Sequence, residues 1–390
     1  MKYKIPFART DTGLKEYKYI KDVLNSGWLT TGKVSRNFEN QFKNYIGAKH
    51  AIAVNSCTSA LHLALEAIGV EENDNVIVPA LTFTASAEVV RYFKAKPIIV
   101  DVDYKTCLIT PGILESEISK GNKIKAVIVV HFAGQAAQMT DSNDRKGILS
   151  ICKKHNIAVI EDAAHAFPTK SNDLYVGNFG DITCFSFYAN KTITTGEGGM
   201  IVTDNDKYAD RMRLMKLHGI NRDPWNNYTS KKPQWDYDVI APGFKYNMPD
   251  INAAIGVAQL ERAEEMRMKR QLCAEYYNIN FSNIESIDIP MLTVSPENHS
   301  WHLYPIILNK MSNIKRDDLV NDLLINGVST SVHYKPLYRM KYYKEKYHLN
   351  NEEYPGCEKY YKGCISLPIY PSLSKDELAH IVNIIKKNCN

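Results

Sequence analysis

Lys191 and Asp162 are the two side chains whose setting in the sequence suggests covalent chemistry. From Ile157 to Thr203 the chain reads IAVIEDAAHAFPTKSNDLYVGNFGDITCFSFYANKTITTGEGGMIVT. An apolar strand, Ile157 to Ile160, exits on Glu161 and Asp162, and a second, Ile182 to Phe187, is followed by Lys191 and a Thr/Gly turn. A carboxylate leaving one strand and a lysine leaving another can hold an aldehyde cofactor of the pyridoxal 5'-phosphate (PLP) type. The amine forms a Schiff base, and the ionised carboxylate keeps a pyridine nitrogen protonated, which makes the ring an electron sink. Singly, Lys191 reads as a surface lysine and Asp162 as a strand-end cap. Together they imply a site.

Upstream, NSCTSALHLALEAIG (55–69) places small hydroxyl residues at a strand exit that opens a helix. Ser56, Thr58 and Ser59 there could cradle a phosphate on free helix N–H groups, or simply cap the helix. Phe83 lies just past another strand, where a ring can stack on a planar cofactor or join the core. His131 ends the apolar run AVIVVHFAG (126–134). Thus Ser56, Phe83, His131, Asp162 and Lys191 all fall at or beyond strand ends, where ligands sit in open α/β sheets.

The elements needed to position them are legible. Helical spacing covers 14–25 and about 34–45, AIAV (51–54) is a short strand, and 76–103 reads strand, loop, helix, strand. Continuous apolar strands alternating with helices predict an α/β fold with a mainly parallel central sheet covered on both faces. Pro249 and Asp250 open a helix expected to run unbroken to about Tyr277. Residues 1–260 are expected to form a large domain and 261–390 a smaller α+β domain. In the latter WHLYPIIL (301–308) and STSVHY (329–334) read as strands, RDDLVNDLLI (316–325) as a helix, and Ser374 with Glu377 as a capping box.

Composition narrows the function classes. The 390 residues carry 48 Lys+Arg against 43 Asp+Glu, and the excess of +5 is not gathered into blocks. That implies neither nucleic-acid nor membrane binding. Eight cysteines without a CxxC spacing suggest free thiols, no apolar start resembles a signal peptide, and no metal-ligand cluster stands out. The expectation is a cytoplasmic protein.

Nine blocks resemble one family in order. They are GWLTTG (27–32), NSCTSALHLAL (55–65), PALTFTAS (79–86), KPIIVDVD (96–103), VVHFAG (129–134), EDAAHA (161–166), CFSFYANKTITTGEGG (184–199), KLHG (216–219) and GFKYNMPDINAAIGVAQL (243–260). The chain resembles the DegT/DnrJ/EryC1/StrS sugar aminotransferases, PLP enzymes of the type I (aspartate aminotransferase-like) fold. The resemblance implies Lys191 as the Schiff-base lysine, Asp162 at the pyridine nitrogen, His165 near the ring hydroxyl and Phe83 stacked on the ring. Cys57, Thr58, Ser59 and Ser186 would hold the phosphate, with Asn247 reaching in from a second subunit of a homodimer. Candidates for the substrate side are Thr31, His131, Tyr188, His218 and His333, the histidines serving equally as structural hydrogen-bonding groups.

Departures from the family pattern are Cys57 where Gly or Ala is usual, Asn190 before the lysine, and Phe167 to Asn172 in place of a Gly-Lys turn. Within the family, GWLTTG, KLHGINRDPW and PGFKYNMPDINAAI look most like enzymes that aminate C4 of UDP-linked keto sugars with L-glutamate. A 3-keto sugar aminotransferase is the alternative reaction, and a regulatory relative without catalysis the alternative class. A dehydratase of this fold would carry histidine in place of Lys191.

Overall fold

The structure, a computed structural model, describes residues 4–142, 145–221 and 237–389. The last four residues of the KLHGINRDPW block and the aromatic-rich stretch after it, to residue 236, lie outside the described residues.

Seven strands form the central sheet: β1 (His50–Val54), β2 (Asn75–Pro79), β3 (Lys96–Val100), β4 (Ile124–Val130), β5 (Ala158–Asp162), β8 (Ile182–Ser186) and β9 (Gly199–Thr203). Between β5 and β8 a short hairpin pairs β6 (Lys170–Ser171) with β7 (Leu174–Tyr175). The order across the sheet is β1-β9-β8-β5-β4-β2-β3. The pairs β3/β2, β2/β4, β4/β5 and β5/β8 are parallel, and only β9 runs against its neighbours. The sheet is therefore mainly parallel, as its unbroken apolar runs demand, since strands such as β4 bury both faces.

Helices α1 (Leu14–Ser26), α2 (Lys33–Ile46), α3 (Cys57–Ala67), α4 (Ala85–Tyr92), α5 (Pro111–Ile118), α6 (Ile148–His155) and α7 (Asp206–Met215) accompany the strands. The helix expected to run from Asp250 to Tyr277 is two, α8 (Asp250–Leu260) and α9 (Ala263–Phe281). Neither glycine nor proline marks the break. Instead Arg262 leaves helical geometry (φ −115°, ψ 6°) and bonds to Asp11 and Glu16 of the N-terminal segment, a tertiary contact outweighing local propensity. Gly256 of α8 lies against Phe38 of α2, where even a Cβ would come within 2.6 Å of the ring.

A second sheet, β10 (Ile287–Asp288), β11 (Tyr304–Leu308) and β12 (Cys364–Leu367), is antiparallel and packs its own apolar core with α9, α10 (Arg316–Ile325) and the last helix, Lys375–Cys389. Ile5 joins that core, whereas Tyr338, Tyr343, Tyr354 and Tyr360 pack on the core of the large sheet. The last helix has the expected capping box, with Ser374 N–H donating to Glu377 and Glu377 N–H to Ser374 Oγ. Two strand expectations fall short. Only Tyr304–Leu308 of 301–308 is a strand, and 329–334 makes just one bridge, Ser331 to Ser366. The side chains of those segments are spent on contacts across the molecule described below.

Candidate active site

β5 and β4 end side by side, with Val130 opposite Asp162. Alternation along β5 sends neighbouring side chains to opposite faces. Asp162 faces a cavity of about 510 Å³, whose wall includes Cys57, Thr58, Phe83, His165, Ser186, Tyr188, Lys191, His333 and Tyr334. Its Oδ2 accepts from Ser86 Oγ (2.8 Å) and its Oδ1 from Ala164 N–H (3.1 Å). Burial raises the Asp162 carboxyl above its ordinary range, while the Ser86 and Ala164 bonds and nearby Lys191 favour the charged form.

Lys191 follows β8 in a turn closed by its own N–H to Tyr188 O (2.9 Å). Burial lowers its amine to about 8, Arg270 adds to that effect, and Cys57 and Asp162 oppose it. An amine with that value is neutral often enough near physiological pH to attack a carbonyl.

In the same wall Ser56 caps α3, accepting from Ser59 N–H (3.0 Å), so that Cys57 and Thr58 begin the helix at the cavity. β9 must approach this corner closely. A Cβ on Gly199 would lie 2.6 Å from the Ser56 carbonyl carbon, and only glycine leaves the room. Ser59 does not join the wall, because its hydroxyl donates to Asn55 Oδ1 (2.6 Å) and sits beside Ser56 Oγ (2.9 Å).

The donor set fits PLP. It offers a helix N-terminus with hydroxyls for a phosphate, a buried carboxylate with acceptor capacity for a protonated ring nitrogen, and an amine depressed towards neutrality in the same cavity. Phe83, 60% exposed at the wall, and Ser186 complete that set.

Other expected residues are distributed unevenly. His333 and Tyr188 line the cavity. His165 does too, but its Nδ1 accepts from Ala133 N–H (3.2 Å) and its Nε2 meets Tyr334 OH (2.9 Å), an interaction the sequence did not announce. His131 is corrected. It is fully buried, with Nε2 on Glu161 (2.8 Å) and Nδ1 accepting from Ala137 N–H (3.1 Å), so it braces the far face of the sheet and has no nitrogen left for substrate. His218 is exposed and outside the cavity wall. Thr31 and Asn247 also lie outside the wall and bond each other, Asn247 Nδ2 donating to Thr31 Oγ1 (2.6 Å).

Sequence reasoning passed over Ser86, Tyr334 and His302, the last with Nε2 3.5 Å from Lys191 Nζ. A larger groove, about 1060 Å³, opens near Tyr104, Asp288 and Glu358, but those acids are taken up by Tyr104 and by Arg339 and Lys362. No group of three or more His, Cys, Asp or Glu among the described residues is placed to hold a metal ion. No helix among them is long and apolar enough to cross a membrane.

Comparison with known proteins agrees with this geometry. The spore coat polysaccharide biosynthesis protein SpsC of Bacillus subtilis is 37% identical over 384 residues, covering 98% of this chain and 96% of SpsC. Among solved structures, Helicobacter pylori PseC, an aminotransferase involved in the biosynthesis of pseudoaminic acid, superposes with a TM-score of 0.87 at 27% identity over 99% of both chains. The putative sugar aminotransferase Spr1654 of Streptococcus pneumoniae in its PLP form matches equally well, at 0.87 and 28% identity over 99% of both chains. A profile of the DegT/DnrJ/EryC1/StrS aminotransferase family spans residues 11–386. The fold is thus the type I PLP fold, the cofactor is PLP, and the chain belongs to the DegT/DnrJ/EryC1/StrS family of sugar aminotransferases.

Proposed function

We propose that this protein transfers an amino group from L-glutamate to C4 of a 4-keto sugar nucleotide, in the making of a surface-polysaccharide or glycan precursor. The observation that carries the aminotransfer chemistry is the placing of Lys191 and Asp162 in one cavity behind the N-terminus of α3. PLP, when bound, supplies the electron sink for moving the amino group.

The protein's own groups do the rest. Lys191 would hold the cofactor covalently, and its amine is the group placed to take up and return a proton at the substrate carbon. Asp162 would keep the ring nitrogen protonated, Phe83 would cover the ring, and Cys57, Thr58 and Ser186 would bind the phosphate. Ser59 supports that cradle by fixing Asn55 and Ser56. His165, oriented by Ala133 and Tyr334, would stand by the ring hydroxyl. His333 and Tyr188 face the substrate.

Two of the blocks behind the C4 reading, GWLTTG and GFKYNMPD, are bonded to each other. Asp250 of the NMPD turn accepts from the N–H groups of Gly32 (2.8 Å), Val34 (3.1 Å) and Ser35 (2.9 Å), and Thr31 Oγ1 donates to Met248 O (2.6 Å). SpsC, whose name places it in spore coat polysaccharide biosynthesis, supports a glycan product. We propose further a cytoplasmic homodimer in which Asn247 and Thr31 complete the partner's cavity, since both stand outside their own. The chain would divide near residue 260 into a PLP-binding domain and a smaller one.

A panel of keto sugar nucleotides with glutamate tests the substrate. Turnover of 4-keto substrates alone is expected. A 3-keto sugar accepted while every 4-keto sugar is refused would replace this reading with the 3-aminotransferase, and no turnover with any keto sugar would favour a non-catalytic relative.

A further inference from the structure

Residues 299–303, between the two sheets, carry more buried polarity than a connection requires. Trp301 is fully buried at φ +50°, a backbone region that bulky residues avoid unless their surroundings enforce it. Its indole Nε1 donates to Pro296 O (2.9 Å), and its N–H donates to His299 Nδ1 (2.8 Å). The segment is also stitched to the loops after β4 and β5. Ser300 Oγ donates to His165 O (2.7 Å), Ser300 N–H to Thr169 Oγ1 (3.2 Å), and Leu303 N–H to Ala133 O (3.2 Å).

The outcome of this stitching is the placement of one imidazole. His302 is 5% exposed, with its ring centroid 4.3 Å from that of His165 and its Nε2 3.5 Å from Lys191 Nζ. Its Nδ1 is buried without a hydrogen-bond partner. Behind it Arg270 of α9, 3% exposed, donates to Ile369 O (2.8 Å) and Trp301 O (3.4 Å) and makes no ion pair with a carboxylate among the described residues.

We propose that His302 is a positioning residue for Lys191, donating from Nε2–H to the lone pair of the lysine amine and so holding that amine neutral and aimed at the cavity. The tautomer follows from the partners. A hydrogen on Nδ1 would be a buried donor with nothing to receive it, which costs more than a bare ring nitrogen. With the hydrogen on Nε2, only an unprotonated Lys191 has an electron pair to accept it; an ammonium would set N–H against N–H.

The charges around the amine agree. Arg270 stands on the side that disfavours an ammonium, and Cys57 and Asp162 on the side that favours it, while His302, His165 and His333 are held neutral by burial. Burial adds to the former and leaves Lys191 titrating at about 8. The inference rests on the proposed function only in taking Lys191 as the reacting amine.

The test uses cofactor-free protein, so that it reads the amine itself. Trace acetylation with acetic anhydride is followed across pH, and the modified fraction of the Lys191 peptide is measured by mass spectrometry. The native midpoint is expected at about 8. In His302→Ala, which removes the donor and admits water, the midpoint rises by about one unit or more, and at pH 7 Lys191 labels about tenfold more slowly. His302→Gln, whose amide N–H can stand near the position of Nε2–H, restores most of the native midpoint. Ser300→Ala keeps His302 but loosens its support, and raises the midpoint by about 0.5 unit.

Circular dichroism identifies the folded variants, and Ser300→Ala decides should His302→Ala not fold. A midpoint within a few tenths of native in the folded variants would overturn the proposal. Failure of the PLP reading looks different: Lys191 keeps its low midpoint but never takes up the cofactor.

Discussion

Glu161 and Asp162 are adjacent on β5, chemically alike and almost wholly buried, yet their surroundings are opposed. Glu161 points to the face away from the cavity, and both of its oxygens are engaged. Oε2 meets His131 Nε2 (2.8 Å), while Oε1 accepts from Gly180 N–H (2.7 Å) and Thr183 Oγ1 (2.7 Å). Burial works against its ionisation, but these three bonds prevail and hold it below the usual carboxylate range. Asp162 has two protein donors and an open cavity beside it, and burial prevails instead, raising it. A carboxylate saturated by the protein serves the fold; one left with acceptor capacity facing a cavity is available to a ligand.

The sharpest way to break this contrast is from the saturated side. Glu161→Leu removes the partner of His131 Nε2, Gly180 N–H and Thr183 Oγ1 in the core and is expected to cost about 3–5 kcal/mol of stability, read by denaturant melts. Asp162→Asn should melt close to native yet lower kcat by about 10²–10³-fold, because an amide cannot hold the ring nitrogen protonated. If the two phenotypes were exchanged, the division of labour would be wrong.

A finer probe is Ser86→Ala, which removes the Oδ2 bond favouring the charged Asp162. Losing it raises the Asp162 pKa further. The acid limb of the pH–rate profile should then move to higher pH by up to about one unit, with kcat at neutral pH falling about tenfold or less.

The contrast also explains what could be read from sequence. Parallel strands announce themselves by unbroken apolar runs, and side chains at their ends gather in one place, so the convergence of Asp162, Lys191, Ser56 and Thr58 on one cavity was legible, while Cys57 came only with the family resemblance. His131 shows where that rule misleads. It too follows an apolar strand, but its partner is Glu161 on the neighbouring strand's far face, and strand-end position does not specify a face. Ser59 was misplaced for a similar reason, since a hydroxyl at a helix start can turn inward, as here to Asn55.

His302 and Tyr334 were illegible because both sit in runs that pass for strands, and their roles depend on contacts 111 and 169 residues away. The break between α8 and α9 had no local signal either. It comes from Asp11 and Glu16, some 250 residues upstream of Arg262.

The most direct measurement is where the cofactor attaches. Purified protein is loaded with PLP, reduced with borohydride, digested and weighed peptide by peptide. The account predicts the cofactor's mass on the peptide bearing Lys191, with no such adduct in Lys191→Ala. Stoichiometric attachment to any other lysine, or none at all in a folded protein, would contradict it.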